Sequence, residues 1–346
     1  QREQNASLIN SIVGGQIVRM YGPKASGKSS RAWDAIMQLH ELGYECIYVS
    51  LEGCDVSSTM FWSHFNGKIE PEAKLPKPIM DATSFEETFD RGHDRWRGRQ
   101  VVLFIDEFDK LHNEGAEHNC EWMLATINSI RTQNKSAIRS IVVIGTYAIL
   151  SLNQKNVFLS PFNAENFQAA NLTKQQIQNL YNEFATEWDF VVDSSVVDDI
   201  FVLTEGHAGL VAICGRLIYD TLIEPGSKNV TLENWKQITL RTLDDEVLKY
   251  GTFRRMVDVL KDSRFKNALD FLRSHFLGAF DYYVQLVDPE HLRMAGFLAA
   301  QGVLQPSPTE SATKFRMSSP LIDLLIRRMV IPRAYPISSL GIVHSQ

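Results

Sequence analysis

The residues Gly22-Pro23-Lys24-Ala25-Ser26-Gly27-Lys28-Ser29 satisfy every specified position of the pattern G-x-x-x-x-G-K-[ST]. The chemistry of that spacing is the capture of a polyphosphate. Glycine lets successive backbone N–H groups turn inward around an anion. A helix that starts within the loop adds donors and a partial positive charge. Lys28 would reach the outer phosphates, the Ser29 hydroxyl would ligate Mg²⁺, and Ser30 closes the set in the first helical turn. A chance match to this pattern somewhere in the chain is roughly a one-per-cent event at ordinary Gly, Lys and Ser/Thr frequencies.

A second set lies 78 residues after Lys28, where Val101-Val102-Leu103-Phe104-Ile105 runs into Asp106-Glu107. Five apolar residues followed by two acids read as a fully buried parallel strand whose carboxyl end meets the ligand crevice of an open α/β sheet. At that tip Asp106 would hold Mg²⁺ and Glu107 would polarise an attacking water. Ile141-Val142-Val143-Ile144-Gly145 is a further buried run, and Thr146 at its end is a candidate for sensing a terminal phosphate. A strand-terminating threonine is an equally good reading of Thr146.

The elements that must position these groups follow the same pattern. Gln16 to Tyr21 reads as a strand before the loop, and Ser29 to Leu42 as a helix with Ala32, Trp33, Ile36 and Leu39 at helical spacing, stopped by Gly43. Cys46 to Leu51 is a second strand. Helices are expected over Asp55–Phe65, from a Ser84–Glu87 capping box to about Trp96, and over Glu117–Arg131. This alternation predicts an α/β core with a parallel sheet over residues 1–150. Residues 151–250 read as mostly helical, a lid-like domain with helices capped at Thr173 and Asp193, then over Leu210–Ile223 and from Thr231. In 251–335, helices over Phe253–Leu260, Ser263–Phe276 and from Asp288-Pro289 precede two short strands, Val303-Leu304 and Lys314–Met317, and a last helix, Pro320–Met329. That order suggests a winged helix. Residues 336–346 read as a tail.

The bulk numbers are those of an ordinary soluble globular protein: 346 residues, 44% hydrophobic, 22% charged. No apolar run reaches the length of a membrane span, so no membrane partner is expected. The four cysteines form no C-x-x-C pair and the nine histidines show no ligand spacing, which points to a reducing, intracellular setting without a zinc site. The chain opens without Met, as expected of a piece cut from something longer. The net charge of −6 is uneven: 12 Lys/Arg against 8 Asp/Glu in 251–346, a net +4, and 23 against 33 elsewhere, a net −10.

The loop from Tyr21 to Ser30, followed by Leu103-Phe104-Ile105-Asp106-Glu107-Phe108-Asp109-Lys110-Leu111, resembles the STAND branch of AAA+-related ATPases. Gly206-His207-Ala208-Gly209-Leu210-Val211 resembles that group's lid motif, with Ala208 where proline is usual. A closer resemblance is to the NTPase module of crinkler-type effector proteins, carried by Ser160-Pro161-Phe162-Asn163, by Gly206–Val211 with Cys214-Gly215-Arg216, and by Met317–Ile322 with Arg327-Arg328 and Val330-Ile331-Pro332. These resemblances imply ATP rather than GTP, a nucleotide-dependent homo-oligomer or switch, modules beyond this chain, and action in a host cytoplasm or nucleus.

Three functions share these residues. One is a Mg²⁺-dependent ATPase that drives attached modules, in which Arg131 or Arg139 would serve a partner subunit as an arginine finger. Another is a scaffold that holds nucleotide with little turnover. The last is nucleic-acid binding through the winged helix. Its recognition helix, Asp288 to Gln301, sets Asp288 and Glu290 against Arg293, and its wing, Gln305 to Thr313, carries Glu310 and no basic residue. Duplex binding needs several Lys/Arg phosphate contacts, so this face is poorly suited to it.

Overall fold

The two apolar runs that end at the candidate site residues are strands at the centre of a parallel sheet. The computed structural model of the chain describes residues 5–69, 73–132, 135–151, 164–223, 227–280, 282–307 and 313–336. Its backbone divides into two compact units, Gln1–Gly22 with Gly27–Ala169, and Pro23–Ser26 with Ala170–Gln346.

The first unit is built on β1 (Ile17–Tyr21), β2 (Glu45–Ser50), β3 (Val101–Asp106), β4 (Ile138–Gly145) and β5 (Ala164–Gln168), hydrogen-bonded in the order β2-β3-β4-β1-β5. Every pairing is parallel, with Val18 opposite Val142, Leu103 opposite Ile141 and Ile47 opposite Leu103. Helices α1 (Ala6–Val13), α2 (Lys28–Glu41), α3 (Phe61–Gly67), α4 (Ala82–Thr88) and α5 (Glu117–Thr132) cover it. The period-2 alternation of β3 divides between the two faces. Val101, Leu103 and Ile105 pack with Phe61, Trp62 and Phe65 of α3, Phe85 of α4 and Met123 and Ile127 of α5. Val102 and Phe104 pack with Leu8 and Ile12 of α1 and Ala32, Ile36 and Leu39 of α2. All six residues of β3 are buried, as a strand covered on both faces must be.

Several local expectations shift. The capping box of α4 sits three residues earlier than read: Asp81 is the cap, its carboxylate accepts from the Ser84 amide at 2.7 Å, and the Ser84 hydroxyl accepts from the Asp81 amide at 2.8 Å. The helix stops at Thr88 rather than near Trp96, because the Trp96 indole N–H takes the Thr88 carbonyl at 2.6 Å and a 3₁₀ turn, Asp94–Trp96, follows. Asp55 holds a turn through Ser57, so α3 begins only at Phe61. Strand β5 was not expected. It is a polar edge strand, and the Ala169 amide extends its pairing to the Tyr21 carbonyl at 2.8 Å.

The second unit is mostly helical: α6 (Lys174–Glu187), α7 (Ser194–Thr204), α8 (Ala208–Ile218), α9 (Leu232–Lys249), α10 (Gly251–Lys261), α11 (Lys266–His275), α12 (Pro289–Ala300), α13 (Pro320–Met329) and α14 (Ile331–Ala334). Thr173 and Thr231 each cap a helix through a capping box, and Asp288 caps α12, which has Pro289 in its first turn. Strands β6 (Val191–Val192) and β7 (Asn229–Val230) form a small parallel pair. After α11, β8 (Val284–Gln285), β9 (Leu304–Pro306) and β10 (Lys314–Met317) form an antiparallel sheet in the order β8-β10-β9. The expected turn Ser160–Asn163, the wing residues 308–312 and the tail after residue 336 lie outside the described residues. No helix among the described residues is long and apolar enough to cross a membrane.

Phe104 is fully buried under α2, two residues before Asp106. Phe104→Ala is expected to lower the unfolding free energy by about 3–5 kcal/mol, measured by urea denaturation. A loss below about 1 kcal/mol would mean that β3 is not the packed centre of the sheet.

Candidate functional site

The loop between β1 and α2 follows from its residue types. Gly27, the N-cap of α2, has φ +81°, which an L side chain rarely adopts. Ala25 also takes a positive φ, +57°, an unusual conformation for a residue with a Cβ. The first bond of the helical ladder runs from the Arg31 amide to the Gly27 carbonyl at 2.9 Å. Lys28, Ser29 and Ser30 therefore occupy the positive end of the helix. The Lys28 ammonium donates to the Gly22 carbonyl at 3.2 Å, across the mouth of the loop.

The sheet brings the first acid to this helix start. Asp106 ends β3 and is 5% exposed. The Ser29 hydroxyl donates to Asp106 Oδ2 at 2.6 Å, and the Tyr48 hydroxyl donates to the same oxygen at 2.5 Å. Asp106 Oδ1 accepts from the Glu107 amide at 2.7 Å. Register explains Tyr48: it lies opposite Phe104 in the parallel pair, on the α2 face, and Asp106 is two residues further along that face. Burial, followed by the hydrogen bond and charge of Asp106, pushes the Tyr48 phenol well above its ordinary pKa, so it stays a donor.

Glu107 leaves the strand with φ +57°, in the left-handed region, and is partly buried. Burial, then the neighbouring charges of Asp109 and Asp106, raise its pKa above the usual carboxylate range. A strained, partly desolvated carboxylate beside a phosphate loop has the properties of a proton acceptor. Thr146 follows β4. Its hydroxyl donates to Asp109 Oδ2 at 3.0 Å and its amide to Asp109 Oδ1 at 3.1 Å. Gly145 makes room for this latch: a Cβ there would lie 2.5 Å from Ile149 Cγ2 and 2.6 Å from Asp109 Oδ1.

Lys28, Ser29, Asp106, Glu107 and Thr146 thus all lie at the carboxyl ends of the strands of the first unit, with Ser30 in the first turn of α2. Pro23, Lys24, Ala25 and Ser26 group with the second unit. Within that unit the Gly209 amide donates to the Ala25 carbonyl at 2.9 Å, and His207 Nε2 lies 3.0 Å from the Lys24 carbonyl. The two candidate arginines are placed elsewhere. Arg131 is in the last turn of α5, and Arg139, near the start of β4, donates to the Val13 carbonyl at 3.0 Å. Arg139 lies about 20 Å along the strand from Thr146. The contacts of Tyr48 with Asp106 and of Asp109 with Thr146 have no counterpart in the sequence reading.

The donor set fits Mg²⁺. Ser29 and Asp106 offer hard oxygens beside the loop, the Ser29 hydroxyl and Asp106 Oδ1, and are joined to each other through Asp106 Oδ2; Mg²⁺ takes one or two protein oxygens and completes its shell with phosphates and water. Among the described residues no cluster of three or more His, Cys, Asp or Glu could cage a metal by itself.

No family model and no curated protein matches the chain. Solved structures do. A Walker-type ATPase of Pyrococcus abyssi is similar with a TM-score of 0.64 at 12% identity, over 94% of this chain and 95% of that one. The ORC2 protein of Aeropyrum pernix, solved in ADPNP and ADP complexes, is similar with a TM-score of 0.53 at 12% identity, over 96% of this chain and 92% of that one. With the parallel sheet, the loop and the paired acids, these likenesses show that the chain has the fold of a Walker-type P-loop ATPase.

Proposed function

We propose that the chain binds ATP with Mg²⁺ and hydrolyses it by in-line attack of water on the γ-phosphate. The observation that carries this reading is the Ser29–Asp106 hydrogen bond, which joins the phosphate loop to the acidic tip of β3 with Glu107 at the next position. Bound Mg²⁺ would neutralise charge on the phosphate oxygens. The Lys28 ammonium and the loop amides Gly22–Ser30 would hold the polyphosphate, and Ser29 and Asp106 would hold the metal. Glu107 would orient the water and take its proton as the bond from γ-phosphorus to the bridging oxygen breaks. Asp109, by holding the amide and the hydroxyl of Thr146, would keep the end of β4 in register with the acids. Positioning and charge neutralisation supply nearly all the catalysis in this reaction class.

In the same reading, nucleotide state is the input to a conformational or oligomerisation switch, and segment 251–335 is a winged helix used structurally. Helix α12 carries Arg293 as its single Lys or Arg, against Glu290 and the Asp288 cap, which disfavours a duplex-binding role for that helix. The crinkler-type resemblance, and with it a host-cell role in a multi-module protein, rests on the sequence phrases alone.

Glu107→Gln is expected to bind ATP normally while turnover falls by about 100-fold or more, measured by phosphate release. Unchanged turnover would place the base elsewhere, and wild-type binding without turnover would leave a nucleotide-holding scaffold. Lys28→Ala should weaken ATP binding by about 10- to 100-fold, the loss of one charge-assisted hydrogen bond, measured by calorimetry. Gly145→Ala should cost about 1–3 kcal/mol of stability by forcing Asp109 or Ile149 aside; a neutral effect in thermal unfolding would argue against the latch.

A further inference from the structure

Tyr48 belongs to no phosphate-binding pattern, yet its hydroxyl reaches the acid at the centre of the site. Ser29 and Trp33 are four residues apart on α2 and so lie on one face of the helix. Tyr48 and Asp106 lie on adjacent strands beneath that face. The four side chains form a closed set. Ser29 meets Asp106 at 2.6 Å, Tyr48 meets Asp106 at 2.5 Å, and the Trp33 ring covers the Tyr48 ring with centroids 4.7 Å apart and planes at 31°.

A carboxylate has about four acceptor sites, two on each oxygen. At Asp106, Ser29 and Tyr48 use both sites on Oδ2, and the Glu107 amide uses one on Oδ1. One site remains, on Oδ1. Without the Tyr48 hydroxyl, a second site would open on Oδ2 and the carboxylate would lose the contact that anchors it from the β2 side. The half-exposed Trp33 ring packs on the Tyr48 ring from α2.

We propose that Tyr48 is a positioning residue for the metal: its hydroxyl fixes the Asp106 carboxylate so that a single oxygen faces the incoming hydrated cation. This rests on reading the site as a Mg²⁺–nucleotide site. Outer partners of this kind hold ligands in orientation, and their loss typically costs about 10- to 100-fold in metal affinity. Tyr48 touches neither nucleotide nor reacting atoms in this scheme, so its effect is on metal affinity and not on the affinity for metal-free nucleotide.

The test is Tyr48→Phe, which keeps the ring against Trp33 and removes the hydroxyl alone. Mn²⁺ binding to the full chain in the presence of ADPNP is followed by electron paramagnetic resonance, and metal-free ADPNP binding by calorimetry in EDTA. The expected result is a weakening of Mn²⁺ binding by about 10-fold, with ADPNP affinity in EDTA unchanged. Equal Mn²⁺ affinity in variant and wild type would overturn the assignment and leave Tyr48 a packing residue. Parallel losses in metal binding, metal-free nucleotide binding and melting temperature would overturn it in favour of a general structural role. If the wild type itself fails to bind Mn²⁺ with ADPNP, the reading of the whole site fails, an outcome distinct from the other two.

Discussion

One hydrogen bond, from the Ser29 hydroxyl to Asp106 Oδ2, ties together segments 77 residues apart in the chain. It can form only if β1 and β3 run parallel in one sheet, with β4 between them, and if α2 starts where β1 ends. The order β2-β3-β4-β1-β5 meets both demands. It gathers the carboxyl ends of β1, β3 and β4 at one edge, which is where an open parallel sheet presents its ligand site. The two apolar clusters on either side of β3 give that edge its rigidity. Alternate residues of one strand lock into α3–α5 on one face and into α1 and α2 on the other, so Asp106 has little freedom to drift from the helix start.

Electrostatics then separates the roles of neighbouring acids. Asp106 is satisfied by three donors and sits where a cation would be welcome. Glu107 points out of the ladder at a positive φ and is surrounded by burial and like charge, which favours its protonated form. Asp109 spends both carboxylate oxygens on Thr146. Three carboxylates within four positions thus sit in three different environments, which is what the proposed division into metal holder, proton acceptor and latch requires.

The parts of this arrangement that were legible in the sequence are those fixed by residue type. The loop is dictated by glycine conformation and by one lysine. Strands β3 and β4 announce themselves as unbroken apolar runs, and the caps at Thr173, Thr231 and Asp288 follow from short polar side chains ahead of periodic segments. What stayed hidden depends on register. Strand β5, Ala-Glu-Asn-Phe-Gln, is a half-exposed edge with no apolar period, recognisable only through its pairing with β1. Tyr48 reads as one more aromatic in a buried strand, and its hydroxyl gains meaning only when β2 is aligned so that Tyr48 faces Phe104 and precedes Asp106. Asp109 sits among Phe108, Lys110 and Leu111 with nothing local to link it to a threonine 37 residues on. The misplaced cap of α4 is a smaller case: Ser84 and Asp81 both suit an N-cap, and the competition was decided by which one kept its amide outside the helix.

The most direct test of the central claim is a crystal structure of the chain grown with ADPNP and Mg²⁺. The account predicts the polyphosphate in the loop Gly22–Ser29, with Lys28 Nζ transferred from the Gly22 carbonyl to a phosphate oxygen and the metal on the Ser29 hydroxyl beside Asp106. Nucleotide bound away from this loop, or a loop still closed by the Lys28–Gly22 contact at saturating ADPNP, would contradict it.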